Sequence, residues 1–174
     1  MDSYGQKMRS PPEDTWHMVY AIFFLQGVGQ LLPWNVFINA EDYFRRRFCG
    51  SSVESSFEDF FAVGYNFACI SGLVLALRCQ NQFSVRGRVL GSLAISVLTF
   101  LVCSLFVLLE GASAGFLFAA TMICILASGL SIAVLQGGLF AMASALPPKF
   151  TQAMMAGQGL AGLGVALAGI FTTL

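Results

Sequence analysis

Charge is what this sequence has least of. Only 10% of its 174 residues are Asp, Glu, Lys or Arg, and nine basic side chains are balanced by nine acidic ones. That balance offers no basic surface to nucleic acid. There is one histidine, no Cys-x-x-Cys pair among the five cysteines and no Asn-x-Ser/Thr acceptor, so metal-ligating, redox and glycosylation signatures are all missing. HExxH, a phosphate-cradling P-loop, a Ser-His-Asp set within reach and a carboxylate pair for acid–base work are absent too. The sequence therefore predicts no enzyme, no metal and no cofactor.

What is there is apolar. At 57% hydrophobic residues and a mean hydropathy of +0.76, the chain has too few polar side chains to cover a soluble globule. Its charges collect in short clusters and leave 15–40, 60–77, 89–109, 111–148 and 150–174 uncharged. A spanning helix needs roughly 20 apolar residues. The pattern predicts an all-α, polytopic transmembrane helical bundle with five spans at about 16–38, 58–77, 89–109, 116–146 and 150–174. Residues 1–15, with Ser10-Pro11-Pro12 and mixed charges, predict a flexible tail ahead of a transmembrane domain over 16–174. The run from Trp16 is too long for a signal-peptide core, and no small-x-small cleavage site follows it.

Orientation follows from the basic residues. With the N-terminus cytoplasmic, that side holds Lys7, Arg9, Arg78, Arg86, Arg88 and Lys149, against Arg45, Arg46 and Arg47 on the other. The bias favours a cytoplasmic N-terminus. The basic stretch from Arg78 to Arg88 suits lipid headgroups. Residues 39–57 read as an external loop, and Cys69, Cys103 and Cys124 as buried, unreactive thiols.

Within the spans the informative groups are neutral amides. Gln136 and Gln158 lie in segments otherwise fit for lipid, where an uncompensated amide costs several kcal/mol. They must face protein or a water-filled cavity. In the first helix, Pro33 removes a backbone donor and crowds the carbonyl of Gly29, which predicts a bend eased by the glycines. At 100° per residue Gly27, Leu31, Trp34 and Ile38 share a stripe with Asn35 beside it. That stripe suits a small planar polar solute. It equally suits an interfacial tryptophan anchor with Gly and Asn as packing glue.

The third helix carries only Ser and Thr as polar groups, which can bond back to their own helix, and reads as scaffold. Pro147-Pro148 closes the fourth helix and Thr151 is the expected cap of the fifth. Ala153, Gly157 and Ala161 then recur every fourth residue as a small face for close packing, and Gln158 reads as a bridge between helices.

Three separated motifs go further: Gly27-Val28-Gly29-Gln30-Leu31-Leu32-Pro33-Trp34-Asn35-Val36-Phe37-Ile38, Gln136-Gly137-Gly138-Leu139-Phe140 and Gly157-Gln158-Gly159-Leu160-Ala161-Gly162, joined by Arg88-Val89-Leu90-Gly91-Ser92-Leu93. From about Trp16 onward the chain resembles the equilibrative nucleoside transporters. The resemblance implies facilitated diffusion of nucleosides, sometimes nucleobases, by alternating access through a central cavity. It implies that Gln136 hydrogen-bonds the base, that Leu31, Trp34, Asn35 and Ile38 line the cavity, and that Gly157 sits where helix packing affects transport, with Gly29, Pro33 and Gln158 in packing or gating. Family members are eleven-helix, major-facilitator-like proteins, so five spans correspond to their N-terminal part. The expectation is an incomplete transporter with little activity alone, whose partners are nucleosides, membrane lipids and either the missing C-terminal half or a full-length homologue.

No ionisable residue lies deep in a predicted span, which agrees with uncoupled movement, since coupled carriers commonly keep one there. An organic cation or monoamine carrier of the same family is the alternative; it calls for an acid in the cavity, and the sequence reading expects none. A second alternative is a membrane protein that transports nothing itself and pairs with a full-length transporter. The tail shows no acidic dileucine signal, and the plasma membrane is the expected location.

Overall fold

The computed structural model describes residues 14–78, 82–109 and 111–173. The predicted tail over 1–13, Cys79 and Glu110 lie outside them. Six α-helices follow a short 3₁₀ turn at Thr15–His17: α1 Met18–Asn39, α2 Glu41–Phe48, α3 Phe57–Arg78, α4 Val85–Val107, α5 Ala114–Ser144 and α6 Pro148–Thr173. Among the described residues four stretches are long and apolar enough to cross a membrane, Met18–Phe48, Phe57–Arg78, Val85–Val107 and Ala114–Ser144. With 26 residues, α6 has the length to do the same.

Local chemistry sets the ends. Asp14 accepts from the amides of Val19 and Tyr20 at 2.9 and 3.2 Å, holding free N–H groups at the start of α1. Ser84 and Ser113 cap α4 and α5, accepting from Gly87 N at 3.1 Å and Phe116 N at 3.4 Å. The cap expected of Thr151 is not made. Helix α6 starts at Pro148, whose fixed φ and missing donor suit a first helical position, and Thr151 already lies within the helix.

The expected external loop also contains a helix. In α2 the acids Glu41 and Asp42 occupy the first turn and Arg45, Arg46 and Arg47 the last, which complements the helix dipole at both ends. Phe44 and Phe48, one turn apart, are buried. They join Phe57, Phe61 and Phe118 in a network of ring contacts, with Phe48 centred 5.3 Å from Phe57 and 5.9 Å from Phe118.

Pairs of touching residues give the helix directions. Phe23 meets Phe150 and Gln30 meets Gln158, so α1 and α6 run parallel. A Cβ on Gly129 would touch Ala68, one on Gly72 Ala133 and one on Gly137 Ala76, so α3 and α5 also run parallel. Helix α4 is antiparallel to α5, with Ser96 against Ser131 and Val89 against Gly138. The α1–α6 pair and the α3–α4–α5 trio meet in two apolar clusters. At the end carrying α2, Phe37, Phe44 and Phe48 pack with Phe57, Phe61, Leu117 and Ile125. At the opposite end Phe23, Phe150 and Met154 pack with Ile132, Leu135 and Leu139.

The surface confirms which solvent this fold meets. On α4 the buried residues are Ser92 and Thr99, while Leu90, Ile95, Val97, Leu98, Leu101 and Leu105 are exposed. A helix that buries two hydroxyls and exposes aliphatics suits hydrocarbon, where polar groups are satisfied internally; the exposed Ser104 hydroxyl donates back to the Phe100 carbonyl at 2.9 Å. The chain is a multi-pass, all-α membrane protein.

Candidate functional site

Two polar features interrupt the apolar packing. The first is on the α1–α6 seam, where an added Cβ on Gly27 would lie 2.1 Å from the Met154 carbonyl oxygen, and one on Gly157 would lie 2.1 Å from that of Phe24. Only glycine lets the two backbones meet this closely. One turn along, Gln30 is 2% exposed. Its Oε1 accepts from Nε2 of Gln158 at 2.6 Å, and its Nε2 donates to Sδ of Met154 at 3.4 Å. The expected bridging role of Gln158 thus has a named partner across the seam.

The second feature is a cavity of about 230 Å³ at the α2 end. Trp34, Phe37 and Ile38 of α1 form one wall, and Phe57, Phe61 and Ala62 of α3 the other. Trp34 stacks on Tyr65 with ring centroids 4.7 Å apart at 29°, an offset geometry that fixes the indole beyond simple burial. Glu41, Glu58 and Asp59 also line this space. The acids come from the first turns of α2 and α3, outside the uncharged runs. Arg45 grips two of them, with Nη2 at 2.5 Å from Glu41 Oε1 and 2.7 Å from Glu58 Oε1.

Of the residues singled out from sequence, Trp34 and Ile38 share the cavity wall, while Leu31, Asn35 and Gln136 are not on it. Leu31 is half-buried. Asn35 is buried, and its carbonyl accepts from Nδ2 of Asn39 at 2.9 Å. Gln136 is half-buried on α5. Pro33 is fully buried in a helix that continues through it. Gly29, unlike Gly27, has nothing within 4 Å of an added Cβ, so it takes no part in the close approach.

The seam and the cavity also involve residues that sequence reasoning passed over: Gln30, Met154, Tyr65 and the three carboxylates. A signal existed for Gln30, which stands three positions after Gly27 and so on a neighbouring part of the helix surface. Nothing local marks Tyr65 as the partner of Trp34, because the stack depends on how α1 and α3 cross. Among the described residues no cluster of His, Cys, Asp and Glu could hold a metal.

Residues 120–174 match the model of the nucleoside transporter family. The mouse equilibrative nucleoside transporter 2 is 36% identical over 171 residues, which is 90% of this chain and 37% of the mouse protein. Mouse equilibrative nucleoside transporter 1 is 34% identical over 185 residues, covering 90% of this chain and 40% of that one. An Arabidopsis thaliana protein named equilibrative nucleotide transporter 1 is 34% identical over 170 residues, covering 94% and 36% of the two chains. The chain thus spans well under half the length of these relatives, which are transporters and not enzymes.

Proposed function

From a chain related to the equilibrative nucleoside transporters over nine-tenths of its length, we propose that these helices form one side of a passage for nucleosides, moved down their gradient without a coupling ion. The observation that carries the reading is the indole of Trp34, half-buried and stacked on Tyr65 at the wall of a half-open cavity at the α2 end of a lipid-facing bundle. A flat aromatic wall suits the π face of a nucleobase, and the neutral amides Asn35 and Gln136, which lie off this wall, suit its edge of donors and acceptors. In this reading Leu31, Trp34, Asn35, Ile38 and Gln136 contact solute as the rest of the path closes around them, and Gly29, Pro33, Gly157 and Gln158 serve packing and gating.

The 174 residues alone carry little flux, because one side of a passage does not enclose a solute. Partners are the nucleoside, surrounding lipid and the complementary half of a transporter, from a longer chain or from a homologue. The tail is cytoplasmic, on the basic-residue bias set out above, and the membrane is the plasma membrane, as the tail shows no acidic dileucine signal. Uridine uptake into vesicles tests this. The chain alone is expected to give uptake near that of empty vesicles, and a transporter with this segment in place of its own is expected to give saturable uptake. Saturable uptake by the isolated chain, or none by the chimaera at normal expression, would overturn the reading.

The acidic wall favours one second reading, an organic cation or monoamine carrier, since carboxylates beside aromatic faces attract a cation. Arg45 pairs with both Glu41 and Glu58 and offsets one of the wall's three negative charges. Competition of uridine uptake by adenosine but not by a monoamine is the expected result.

A further inference from the structure

The α4–α5 seam is a ladder with a regular step. Val89 meets Gly138 and Ser96 meets Ser131, so each rung lies seven residues further along α4 and seven back along α5. Seven residues are close to two full turns, and the same stripe of each helix therefore faces its partner at every rung. The next rung is Cys103 with Cys124. The two thiols interact there, and both belong to the apolar cluster at the α2 end. One rung away the serine oxygens lie 3.1 Å apart, so short side chains reach across this seam. A C–S bond is longer than a C–O bond and carries a sulfur further still.

The two sulfurs differ in access. Cys124 is buried, while Cys103 is half-buried and its neighbours Leu101 and Leu105 are exposed on the lipid side. Cys124 lies about 15 Å along the axis from Ala114 at the start of α5. A reagent therefore reaches Cys103 from hydrocarbon and not from water. A reachable thiol beside a second, shielded one is the arrangement of a redox pair, in which the first sulfur is oxidised and the second resolves it.

We propose that Cys103 and Cys124 are a redox-active pair that a lipid hydroperoxide converts into a disulfide fastening α4 to α5 within the membrane. In the first step the Cys103 sulfur attacks the terminal peroxide oxygen. The S–O bond forms as the O–O bond breaks, and the thiol proton leaves with the lipid alcohol, which makes Cys103 a sulfenic acid. In the second step the Cys124 sulfur attacks the Cys103 sulfur. The S–S bond forms as the S–O bond breaks, and the hydroxyl departs as water with the Cys124 proton. Two electrons pass from the thiol pair to the peroxide. The link closes the α4–α5 turn at the end where the Ser96–Ser131 and Ser92 bonds do not reach, and it requires no nucleoside.

The test uses the whole chain with Cys49→Ser and Cys79→Ser, so that Cys69, Cys103 and Cys124 remain, in phosphatidylcholine vesicles with or without phosphatidylcholine hydroperoxide. Unreduced peptides are read by mass spectrometry. The expected product joins the peptides of Cys103 and Cys124 with loss of two hydrogen atoms, and dithiothreitol reverses it. Cys69→Ser should leave it unchanged. With Cys124→Ser, dimedone should trap a sulfenic acid at Cys103, whereas with Cys103→Ser no adduct should form at Cys124. Oxidised glutathione, confined to water, should leave the pair reduced. An unlinked pair in the chain that keeps both thiols, whether both stay reduced or either is oxidised alone, overturns the proposal. Linkage to Cys69 in preference overturns it as well, and linkage by glutathione overturns the approach from lipid.

Discussion

The α1–α6 and α4–α5 seams join helices of similar composition by opposite means. In the first, glycines bring backbones into direct contact and a part-buried amide pair spans the gap. In the second, a hydroxyl does the work: Ser131 Oγ donates to the Ser92 carbonyl at 2.6 Å and lies 3.1 Å from Ser96 Oγ. Lipid tails are as apolar as leucine, so neither seam gains from hydrophobic burial and each depends on contact and hydrogen bonds. The difference lies in tolerance. A backbone contact admits no added atom, whereas a hydroxyl seam loses one bond when a side chain changes.

The largest effects should therefore come from single methyl groups on α1 and α6. Gly27→Ala and Gly157→Ala each drive a Cβ into a carbonyl oxygen, and overpacking of this kind costs about 1–3 kcal/mol or more. Gly29→Ala, two residues away in open space, is expected to be neutral or to stabilise by up to about 1 kcal/mol through helix propensity. Thermal unfolding of the three variants in one detergent checks this. Equal destabilisation by all three would remove the contrast.

Next comes the amide pair. Gln158→Leu strands the buried Oε1 of Gln30 and should cost about 1–3 kcal/mol. Gln30→Leu should cost less, because the amide left without its partner, Gln158, is only half-buried. The double variant should recover most of the loss, since removing both partners leaves nothing unpaired. Strict additivity across this cycle would mean that the two amides do not act together.

Ser131→Ala belongs a step lower, at about 0.6 kcal/mol, the average for an interhelical hydrogen bond in a membrane protein. Loss on the scale of the glycine variants would show that the α4–α5 seam is equally intolerant. The smallest effect is expected of Arg45→Gln. Its links to Glu41 and Glu58 are exposed, so any loss seen at low salt should vanish at high salt.

Much of this could be read from the chain. The uncharged runs match the helices α1, α3, α4, α5 and α6 to within a few residues, because charge exclusion from lipid is a one-dimensional constraint. Gln158 was legible as a bridge, since a lone amide must find a partner. Its partner was not, because Gln30 is identified only once α1 and α6 lie parallel in one register. Helix α2 was hidden by its polar residues, whose order along the dipole and whose paired Phe44 and Phe48 mattered more than their average polarity. Acids in the cavity wall were missed for a related reason. They sit just outside the uncharged runs in sequence, while the cavity opens at that same level.

Trp16 and Trp34 are the two tryptophans, which gives direct access to the central claim. With Trp16→Phe, Trp34 becomes the sole indole of this chain, and its emission can be followed as uridine is added to the chain assembled in vesicles with a tryptophan-free complementary half of a transporter. The account predicts a saturable change in emission, abolished when Gln136→Ala is introduced or shifted to roughly fivefold higher uridine, the equivalent of one hydrogen bond at about 1 kcal/mol. Emission that stays constant in the folded assembly at every uridine concentration would contradict a nucleoside passage lined by this residue.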